Sequence, residues 1–477
     1  MKRNKNLLAK IIFALLLVFA APSFTPIFAQ SDSHSPYSFY GIGVPQRNAL
    51  QNGFGMGGIF AGLRDSNTIN FLNPASYSAI DVTQFIFGAE NNVYNRSLNN
   101  INILDYNVFI NQVGLGVPIM RKKWVGWGLY VGYSPYSQVG YTFADSVTQY
   151  FGTDTVLVKR RYDGSGGVNQ VTLGNGFRIY KYISIGLNVH YLFGTIDRNR
   201  SLLMPLNQAY LSSRVQEKTR IQEVGFDVGL QSHFSIKTKH RFRPKEMTKD
   251  SLIQRSLWPY KTSRLFINMG INYSMGRDLS ASLDKYGIQF LYGNTEYGVD
   301  TFDLAPGING AITLPHIITA GIHLTNAKWW SAAFDFNWGN WSSFSYFDQP
   351  NVLFSNTWGI SAGAEFDPPY KNKNLGKNQF LKNMLFRAGA RYQDRAFRPD
   401  TNPVDEVGIS FGLGLPLAFG NKYYSEAESR RILSYINIGV EGGWAASRNN
   451  GTINESFFRL NLGVTIRDKW FIKRRFN

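Results

Sequence analysis

The sequence predicts an all-β fold, a transmembrane antiparallel β-barrel of about fourteen strands. Aromatic residues make up 15% of the 477 residues, charged residues only 17%, and 46 residues are glycine. This excess of aromatic residues and glycine, with few charges, is unlike the composition of a helical globular protein. Apolar residues also alternate with polar residues along many segments of about ten residues, as in membrane-spanning strands. These two observations together predict the barrel.

Alternation with a period of two is clearest in two segments. In 183–191, "ISIGLNVHY", and in 407–413, "VGISFGL", apolar residues alternate with serine, glycine, asparagine or histidine. Lipid cannot pair with backbone N–H and C=O groups, so a sheet in a bilayer must close on itself. The alternative is a soluble sandwich or propeller, which predicts a turn every 8–12 residues or so. Connections of roughly 20 to 35 residues alternate here with very short turns, which favours the barrel.

The first 29 residues predict a secretory signal peptide. Basic "MKRNKN" is followed by apolar "LLAKIIFALLLVFAA", and the segment ends on the small Ala29, which is the order of regions in such a leader. A transmembrane anchor is the alternative, but the apolar run is short for one. Export followed by insertion of a barrel predicts the outer membrane of a Gram-negative bacterium.

The alternating segments divide the chain into a signal peptide over 1–29, an N-terminal hatch over 30–81 and a barrel over 82–477. An even number of strands places both termini on one side of the membrane. The tight turns at 121–123, 181 and 326–328 fall on that same side, which is periplasmic because short turns belong there. The predicted strands are 82–95, 104–118, 124–144, 168–180, 182–197, 220–235, 263–276, 314–326, 328–343, 354–366, 384–396, 405–416, 432–446 and 456–467.

The predicted periplasmic connections are strongly basic. With the C-terminal tail they carry about 25 basic residues against 6 acidic ones, whereas the outer loops are close to neutral. The plain interpretation is that these side chains reach the phosphates of the outer-membrane lipid. The alternative is that the basic rim binds an acidic periplasmic protein partner. Nucleic acid is excluded as a partner by the location, despite the net charge of +18.

The segment before the first strand has a pattern of its own. The stretch 53–76, "GFGMGGIFAGLRDSNTINFLNPAS", is too rich in glycine for a helix and too irregular for a strand. A barrel of this size is an open pore unless its lumen is filled. We therefore expect residues 30–81 to form a compact plug in the lumen. Asp65 and Asn73 are suited to bond loop amides, and Pro74 fixes the turn into the first strand.

Two segments resemble the FadL-type outer-membrane transporters of hydrophobic compounds. One is 314–344, "LPHIITAGIHLTNAKWWSAAFDFNWGNWSSF", with its Trp-Ser-x-Phe ending. The other is the hatch stretch, whose matching positions are Gly55, Gly57, Gly58, Gly62, Asp65, Asn73, Pro74 and Ala75. The resemblance implies a fourteen-stranded barrel closed by an N-terminal hatch. It also implies passive uptake of hydrophobic small molecules such as fatty acids, with gating by the hatch and lateral exit into the bilayer.

The lateral exit of these transporters is attributed to a kink in the third strand. In this sequence the third strand contains Pro135, which cannot donate a ladder hydrogen bond, with Gly132 and Ser134 beside it. The resemblance therefore implies an opening at these three residues. A proline that merely ends the strand near the outer rim is the alternative.

Some relatives in this superfamily, of the PorV kind, are accessory barrels of the type IX protein-secretion channel. The resemblance therefore leaves a second function open. The chain would then be a non-transporting accessory or plug barrel, bound to a secretion channel through its basic periplasmic face. Uptake predicts an apolar cavity between hatch and wall, whereas the accessory function predicts a sealed lumen.

Six charged residues are predicted to face the lumen. Arg387, Arg391, Arg395 and Arg459 can bind the carboxylate of a fatty acid, and Asp335 and Glu365 are natural counter-charges. The alternative is that they line a wet lumen or hold the hatch. No Ser-His-Asp/Glu set can be assembled around the six histidines, and neither metal-ligand spacing nor cysteine is present. We expect neither an enzyme, nor a cofactor, nor a metal site.

Overall fold

The structure is a computed structural model, and it shows an all-β architecture. It describes residues 36–47, 49–98, 101–122, 124–151, 154–204, 210–241, 260–292, 296–326, 329–350, 353–368, 384–398, 402–417, 434–447 and 454–469. The predicted signal peptide lies outside these residues, as do most of the basic periplasmic connections, so both stay predictions.

Nineteen strands, β1 to β19 in chain order, and four short 3-10 turns make up the regular structure of the described residues. The turns are Pro36–Phe39, Phe54–Met56, Pro74–Ala79 and Trp341–Ser343. Within the described chain, no helix is long and apolar enough to cross a membrane. The strands are Val44–Pro45, Thr83–Leu98, Ile101–Arg121, Val125–Phe151, Asp154–Ile179, Ile183–Leu203, Ser212–Arg241, Tyr260–Ser274, Arg277–Tyr292, Glu296–Leu314, Ile317–Thr325, Trp330–Gly339, Ser345–Tyr346, Gln349–Pro350, Thr357–Phe366, Leu385–Asp394, Val404–Leu417, Ser434–Ser447 and Asn454–Asp468.

Fourteen antiparallel strand positions close into a barrel. Twelve are single strands, and two are strands with an interruption, β8 continuing into β9 and β10 continuing into β11. β19 pairs with β2 from Asn454↔Ser97 to Asp468↔Thr83, which closes the sheet. The remaining strands belong to the hatch (β1) and to an outer loop (β13 and β14). The predicted fold class is confirmed.

Side chains alternate across the wall as the sequence predicts. On β6, Ile183 and Ile185 are exposed on the outer surface, whereas Ser184 and Asn188 are fully buried inside. Exposed Trp124 at the first short turn stacks on Tyr180 at the second, with ring centroids 5.3 Å apart. Aromatic residues of this kind gather at the bilayer boundary. The end of the barrel with the short turns is therefore one membrane interface, and by the rule for short turns it is the periplasmic one.

On one side of the barrel the sheet continues far beyond the bilayer. β4 to β7 are 21 to 30 residues long, although about ten residues suffice to cross the hydrocarbon. The predicted starts of two strands, at 168 and 220, were wrong, since β5 begins at Asp154 and β7 at Ser212. The outer strands β9 and β10 were missed. β10 shows why: from Glu296 to Asn309 nearly every residue is exposed. Alternation of apolar and polar residues is expected only where one face of a strand is buried, so a strand with solvent on both faces does not show it.

The orientation can be tested with single introduced thiols, because the chain contains no cysteine. We expect Gln149→Cys, near the outer end of β4, to react with a membrane-impermeant maleimide in intact cells. Lys122→Cys, in a short turn, should react only after the outer membrane is permeabilised. The readout is the gel shift caused by a polyethylene-glycol maleimide. Labelling of Lys122→Cys alone in intact cells would show that the barrel is inverted.

Candidate functional site

The described part of the hatch passes through the lumen from the outer end to the periplasmic end. Residues 36–47 lie along the outer half of β4, where the N–H of Gln46 donates to the carbonyl of Tyr136 at 2.8 Å. The chain then descends, and the turn Pro74–Ala79 packs against β4, β5, β6 and β7 before β2 begins at Thr83. One continuous segment therefore fills both halves of the barrel.

A row of glycines on four neighbouring strands receives this turn, and we call it the glycine belt. Each glycine in the row is the direct cross-strand partner of the next. A Cβ added to any of them would come within 3.0 Å of atoms of Asn73, Pro74 or Tyr77. The hatch can occupy this position only because the wall lacks side chains there. The belt consists of Gly128, Gly176, Gly186 and Gly229.

Glycines of the predicted hatch motif make the same close approach from the other side. Gly57 and Gly58 have φ angles of 76° and 82°, a region that residues with a Cβ rarely adopt. The N–H of Gly57 donates to the hydroxyl of Ser410 at 2.8 Å. The side chain of Arg47 packs directly over Gly58. Both glycines are therefore required by conformation as well as by space.

Gly55 and Gly62 are required by space alone. A Cβ on Gly55 would lie 2.6 Å from the Cα of Gly412 in β17. A Cβ on Gly62 would lie 3.0 Å from the carbonyl of Gly321 in β11. The hatch thus touches the wall backbone on strands well outside the belt.

Asn73 ties the Asn-Pro-Ala turn to the rest of the hatch. It is fully buried, and its amide donates to the carbonyl of Ala61 at 2.8 Å. Its Oδ1 accepts from the N–H of Ala75 at 3.2 Å. Pro74 occupies the first position of the 3-10 turn, where its missing N–H would have no partner in any case. The side chain of Asn73 thus bonds backbone groups of the hatch at Ala61 and Ala75.

Asp65 faces the periplasmic side of the plug. Its carboxylate accepts from the N–H of Asn67 at 2.9 Å and borders a cavity of about 490 Å³ that Glu365 and Asp367 also line. Burial, reinforced by the negative charge of Glu365, raises the pKa of Asp65 to about 6. Burial and the same neighbour raise the pKa of Asp367 to about 6. Among the described residues, neither of the two has an ion-pair partner.

A second acidic residue holds the hatch backbone, and the sequence had suggested it only as a counter-charge. Asp335 on β12 accepts from the N–H of Phe60 at 2.6 Å and from that of Ala61 at 2.9 Å. An inward acid on an otherwise apolar strand was the signal available in the sequence. Its actual partners lie in an irregular segment, where no period can be read.

The predicted lumenal arginines all point inward, and all are paired. Arg387 donates to Glu365 at 2.7 Å and to Asn437 at 2.8 Å. Its guanidinium lies near the periplasmic cavity and takes no part in the lining of the outer one described below. Arg387 and Glu365 therefore neutralise each other across β15 and β16.

Arg391 and Arg459 belong to a buried network, which we call the arginine–glutamate cluster. Arg391 donates to Glu441 at 3.0 Å and also bonds Glu406. Arg459 donates to the same two carboxylates, each at 3.2 Å. Arg47 of the hatch completes the cluster by its ion pair with Glu441. The sequence identified the two wall arginines but missed Arg47, Glu406 and Glu441, the last two of which alternation places on the inner face.

The wall contains a seam where β3 and β4 separate. These strands pair from Arg121↔Gly126 to Val113↔Tyr133, and beyond Tyr133 they no longer pair in the described chain. At about 3.3 Å per residue and a tilt of about 45°, Tyr133 lies about 19 Å above the periplasmic end of β4. The apolar band is about 25 Å tall, so the seam begins within its outer half.

Pro135 lies at this seam. A register shift between Pro135 and Ser137 interrupts the pairing of β4 with β5, but the strand continues to Phe151. The alternative that the proline ends the strand is therefore wrong. Gly132 and Ser134 flank the point of separation, and Ser134 accepts from the amide of Gln170 at 3.0 Å.

The hatch itself occupies the edge of β4 at the seam. β1 pairs antiparallel with β4 as Val44↔Gln138 and Pro45↔Ser137. Across the seam, the side chain of Asn107 on β3 donates to that of Gln138 at 2.9 Å. The closure of the wall at this level thus depends on a two-residue strand and a side-chain contact.

A cavity of about 480 Å³ lies between the hatch and the outer half of the wall. Apolar Val44, Phe60 and Leu72 line one part, and the arginine–glutamate cluster lines another. The lining also includes Asn107, so the cavity extends to the seam. Its character is mixed rather than purely apolar. Toward the outside, Ile42 of the hatch packs with Trp341, Phe344 and Phe354 in an apolar core that covers it.

A hydrogen-bonded chain in the wall was not found from sequence. Thr172 Oγ1 lies 2.8 Å from His190 Nδ1, and His190 Nε2 lies 2.7 Å from Asp227 Oδ2. Thr172 and His190 are both buried, so this hydroxyl is not presented to a substrate. In the described part of the chain, no group of three or more His, Cys, Asp and Glu side chains could hold a metal ion.

The sequence of the chain matches a model of the BamG family over residues 7–254 and 259–477, which is nearly its whole length. The chain belongs to the BamG family. No functionally curated protein matches it in sequence.

Several solved structures are similar to this BamG-family chain. A FadL homologue from Pseudomonas aeruginosa superposes with a TM-score of 0.52 at 13% identity, over 89% of this chain and 99% of that one. The toluene transporter TodX of P. putida gives a TM-score of 0.49 at 14% identity, over 89% and 100%. The CymD monoaromatic hydrocarbon channel gives 0.47 at 15%, over 88% and 98%. At 13% identity the likeness to the first of these structures shows the fold alone, and at that level the predicted barrel fold is confirmed.

The glycine belt predicts a defined effect of adding a side chain. Gly186→Val should displace the Pro74–Ala79 turn, because overpacking a filled interior costs about 1–3 kcal/mol or more. We expect the hatch to become protease-sensitive and the single-channel conductance in a planar bilayer to rise roughly tenfold or more. Gly442→Val is the matched control, since nothing lies within 4 Å of a Cβ at that glycine. Equal behaviour of the two variants would contradict a belt-held hatch.

The raised pKa of Asp65 predicts a pH-dependent hold on the hatch. Because this pKa of about 6 exceeds the ~3.9 of an unfolded chain, the folded protein binds the proton more tightly. The wild type therefore loses stability as the pH rises from about 4 to about 6. Asp65→Asn should raise the temperature at which the hatch becomes protease-sensitive at about pH 7.5, with a smaller gain near pH 4.5. Asp300→Asn on the outer hairpin is the control, and the same gain at both pH values would argue against the mechanism.

Proposed function

We propose that this barrel takes up small hydrophobic molecules with an acidic end and releases them sideways into the bilayer. The observation that carries the proposal is the seam, at which a two-residue hatch strand takes the place of barrel pairing. An apolar molecule gains free energy by passing directly into hydrocarbon. An exit in the outer half of the bilayer gives it that path without exposure to water.

The outer cavity supports this class of ligand. Its volume of about 480 Å³ lies within the ~300–1,000 Å³ of small-molecule pockets. Val44, Phe60 and Leu72 offer an apolar surface to a hydrocarbon chain. The Nη2 of Arg47 is buried without a described hydrogen-bond partner, so it can donate to a carboxylate. Arg391 would then act indirectly, by holding Glu441 against Arg47.

β1 is suited to be the gate. Its described bonds to β4 are few: besides the strand pairing itself, Gln46 donates to Tyr136 at 2.8 Å and Ser137 donates to Ile42 at 2.8 Å. Each such bond contributes only about 0.5–1.5 kcal/mol net. Val44 and Pro45 also line the cavity, so a ligand in the cavity contacts the gate directly.

The second candidate, an accessory barrel of a protein-secretion channel, is favoured by a different observation. Below the outer cavity the hatch turn fits against the glycine belt, and above it Trp341, Phe344 and Phe354 pack into an apolar core. Such a closed lumen suits a barrel that does not conduct. The basic periplasmic face proposed for docking lies mostly outside the described residues.

A reversible lock on the gate separates the two functions. Val44→Cys with Gln138→Cys places two thiols on directly paired residues, at a Cα separation of about 4.5–5.5 Å that a disulfide can span. We expect uptake of radiolabelled oleate by expressing cells to fall roughly tenfold when the pair is oxidised. Dithiothreitol should restore it, because reduction frees β1.

The control lock lies on the same strand but away from the seam. Ser146→Cys with Lys159→Cys joins β4 to β5 at the outer end and should leave oleate uptake unchanged in both redox states. Unchanged uptake by the oxidised gate lock would rule out exit through the seam. If neither the locked nor the unlocked barrel takes up oleate, or retains any apolar molecule on purification, the accessory function is favoured.

A further inference from the structure

We propose that the outer edge of β4, Thr142–Tyr150, is a docking strand for an extended segment of another cell-surface protein. The segment adds to the sheet antiparallel to β4, by main-chain hydrogen bonds. This inference does not depend on the proposed uptake, because the docking strand lies outside both the lumen and the bilayer. We refer to these nine residues as the docking edge.

The docking edge is beyond the membrane. Thr142 lies 17 residues beyond Val125, the first residue of β4. At about 3.3 Å per residue and about 45° of tilt, this corresponds to about 40 Å above the periplasmic end, well past the ~25 Å apolar band. Thr142–Ser146 and Thr148–Tyr150 are exposed. A partner can therefore reach this strand from the medium.

The docking edge has a sheet neighbour on one side only. β4 pairs with β5 from Val125↔Ile179 to Phe151↔Asp154. On the other side its described strand pairings end with β1 at Gln138. No strand of the described chain continues the sheet past that point. A strand edge of this length is a ready template for an added strand.

The direction of the unpaired backbone groups follows from Gly140. Its N–H donates to the hydroxyl of Ser38 at 3.0 Å, and its carbonyl accepts from the same hydroxyl at 2.9 Å. Both groups of Gly140 therefore point away from β5. Because a strand repeats every two residues, the same outward direction applies to the N–H and C=O groups of Thr142, Ala144, Ser146, Thr148 and Tyr150.

The hatch already uses this edge of β4 for strand addition. β1 pairs with it antiparallel at Ser137 and Gln138, and Ser38 makes at Gly140 both of the bonds that a neighbouring strand would make. The hatch thus covers the backbone of this edge as far as Gly140, and the ring of Phe39 packs against that of Phe143 with centroids 5.7 Å apart. A docked segment would continue the same pairing outward, with its C-terminal end directed toward the membrane.

The opposite edge of the outer sheet provides an internal comparison. The pairing of β10 with β9 has three register shifts, all between Gly298 and Ile308. Pro306 lies within this irregular stretch. Bulges and prolines are devices that prevent strand addition. The docking edge, "TFADSVTQY", has no proline, glycine or lysine. Its single charge, Asp145, is paired with Arg160. Among the described residues, one edge is protected and the other is left open, which is expected if a partner covers the second.

The geometry favours a foreign segment over a second copy of this chain. All copies in one membrane have β4 running outward, so two β4 strands that meet side by side run parallel and cannot form the antiparallel pair. The partner's chemistry follows from the side chains that it meets. Apolar or aromatic residues suit the face with Phe143 and Val147, and hydroxyl or small polar residues suit the face with Ser146 and Thr148.

The first test is amide hydrogen exchange of the full-length protein, in its native outer membrane and after purification into lipid nanodiscs. We expect the amides of Thr142, Ala144, Ser146 and Thr148 to exchange at least roughly tenfold more slowly in the native membrane, where the partner is present. The amide of Val147 should exchange equally slowly in both, because it pairs with β5. Equal exchange of the four edge amides in the two samples would overturn the proposal, and this comparison requires no variant.

The second test uses a photoreactive residue in place of Ser146 in native membranes. We expect a cross-link to one segment of another protein. It should persist in Thr148→Ala, which keeps the backbone donor, and disappear in Thr148→Pro, which removes it while leaving the pairing with β5 intact. Heat-modifiable migration checks that both variants fold. Cross-links only to lipid or to a second copy, or equal loss in the alanine variant, would overturn strand addition.

Discussion

The structure depends on one contact, that between the backbone of the hatch and the glycine belt. A Cβ on Gly186 or Gly229 would overlap the Asn-Pro-Ala turn. The hatch can therefore lie against the wall only where the wall residues are glycines. Interiors are packed too densely for such a contact to tolerate even one added methyl group. Since the belt crosses four adjacent strands, the turn also packs against β4 to β7 together. Glycine normally weakens a strand interior, and here its abundance has a structural reason.

The arginine–glutamate cluster performs a different task from the belt. Removing charges from water offsets much of their attraction, so buried ion pairs add little net stability, but they strongly disfavour arrangements that leave a charge unpaired. The ion pair between Arg47 and Glu441 therefore fixes where the hatch enters the lower lumen. The wall residues Arg391 and Arg459 keep Glu441 in place. Packing against the glycine belt holds the periplasmic half of the hatch, and the ion pair of Arg47 with Glu441 aligns its middle.

The sequence predicted the strands that lie between lipid and lumen, because their side chains alternate. It missed the exposed outer strands and the contacts of the irregular hatch, which follow no repeating pattern. Strands with lipid on one side and lumen on the other, such as β6, alternate and were found. The outer strand β10 was missed because water surrounds it on both faces. Alternation placed Arg391 and Arg459 in the lumen, but it could not reveal that Arg47, from an irregular segment, joins them. The resemblance implied an opening at Pro135, whereas the pairing of β1 with β4 beside it could be found only from the three-dimensional path of the hatch.

The same segment that fills the lumen also closes the seam, and its two ends are held differently. Around β1, a few hydrogen bonds join residues 38–46 to β4, and Ile42 packs into the apolar core with Trp341 and Phe344. The turn Pro74–Ala79 is held by belt packing, by buried Asn73 and by the bonds to Asp335 nearby. The lateral exit that we propose would therefore require Ile42 to leave the outer apolar core while the turn Pro74–Ala79 keeps its place on the glycine belt. Local opening of this kind is possible where the contacts of the two ends are separate, since parts of a fold can open independently.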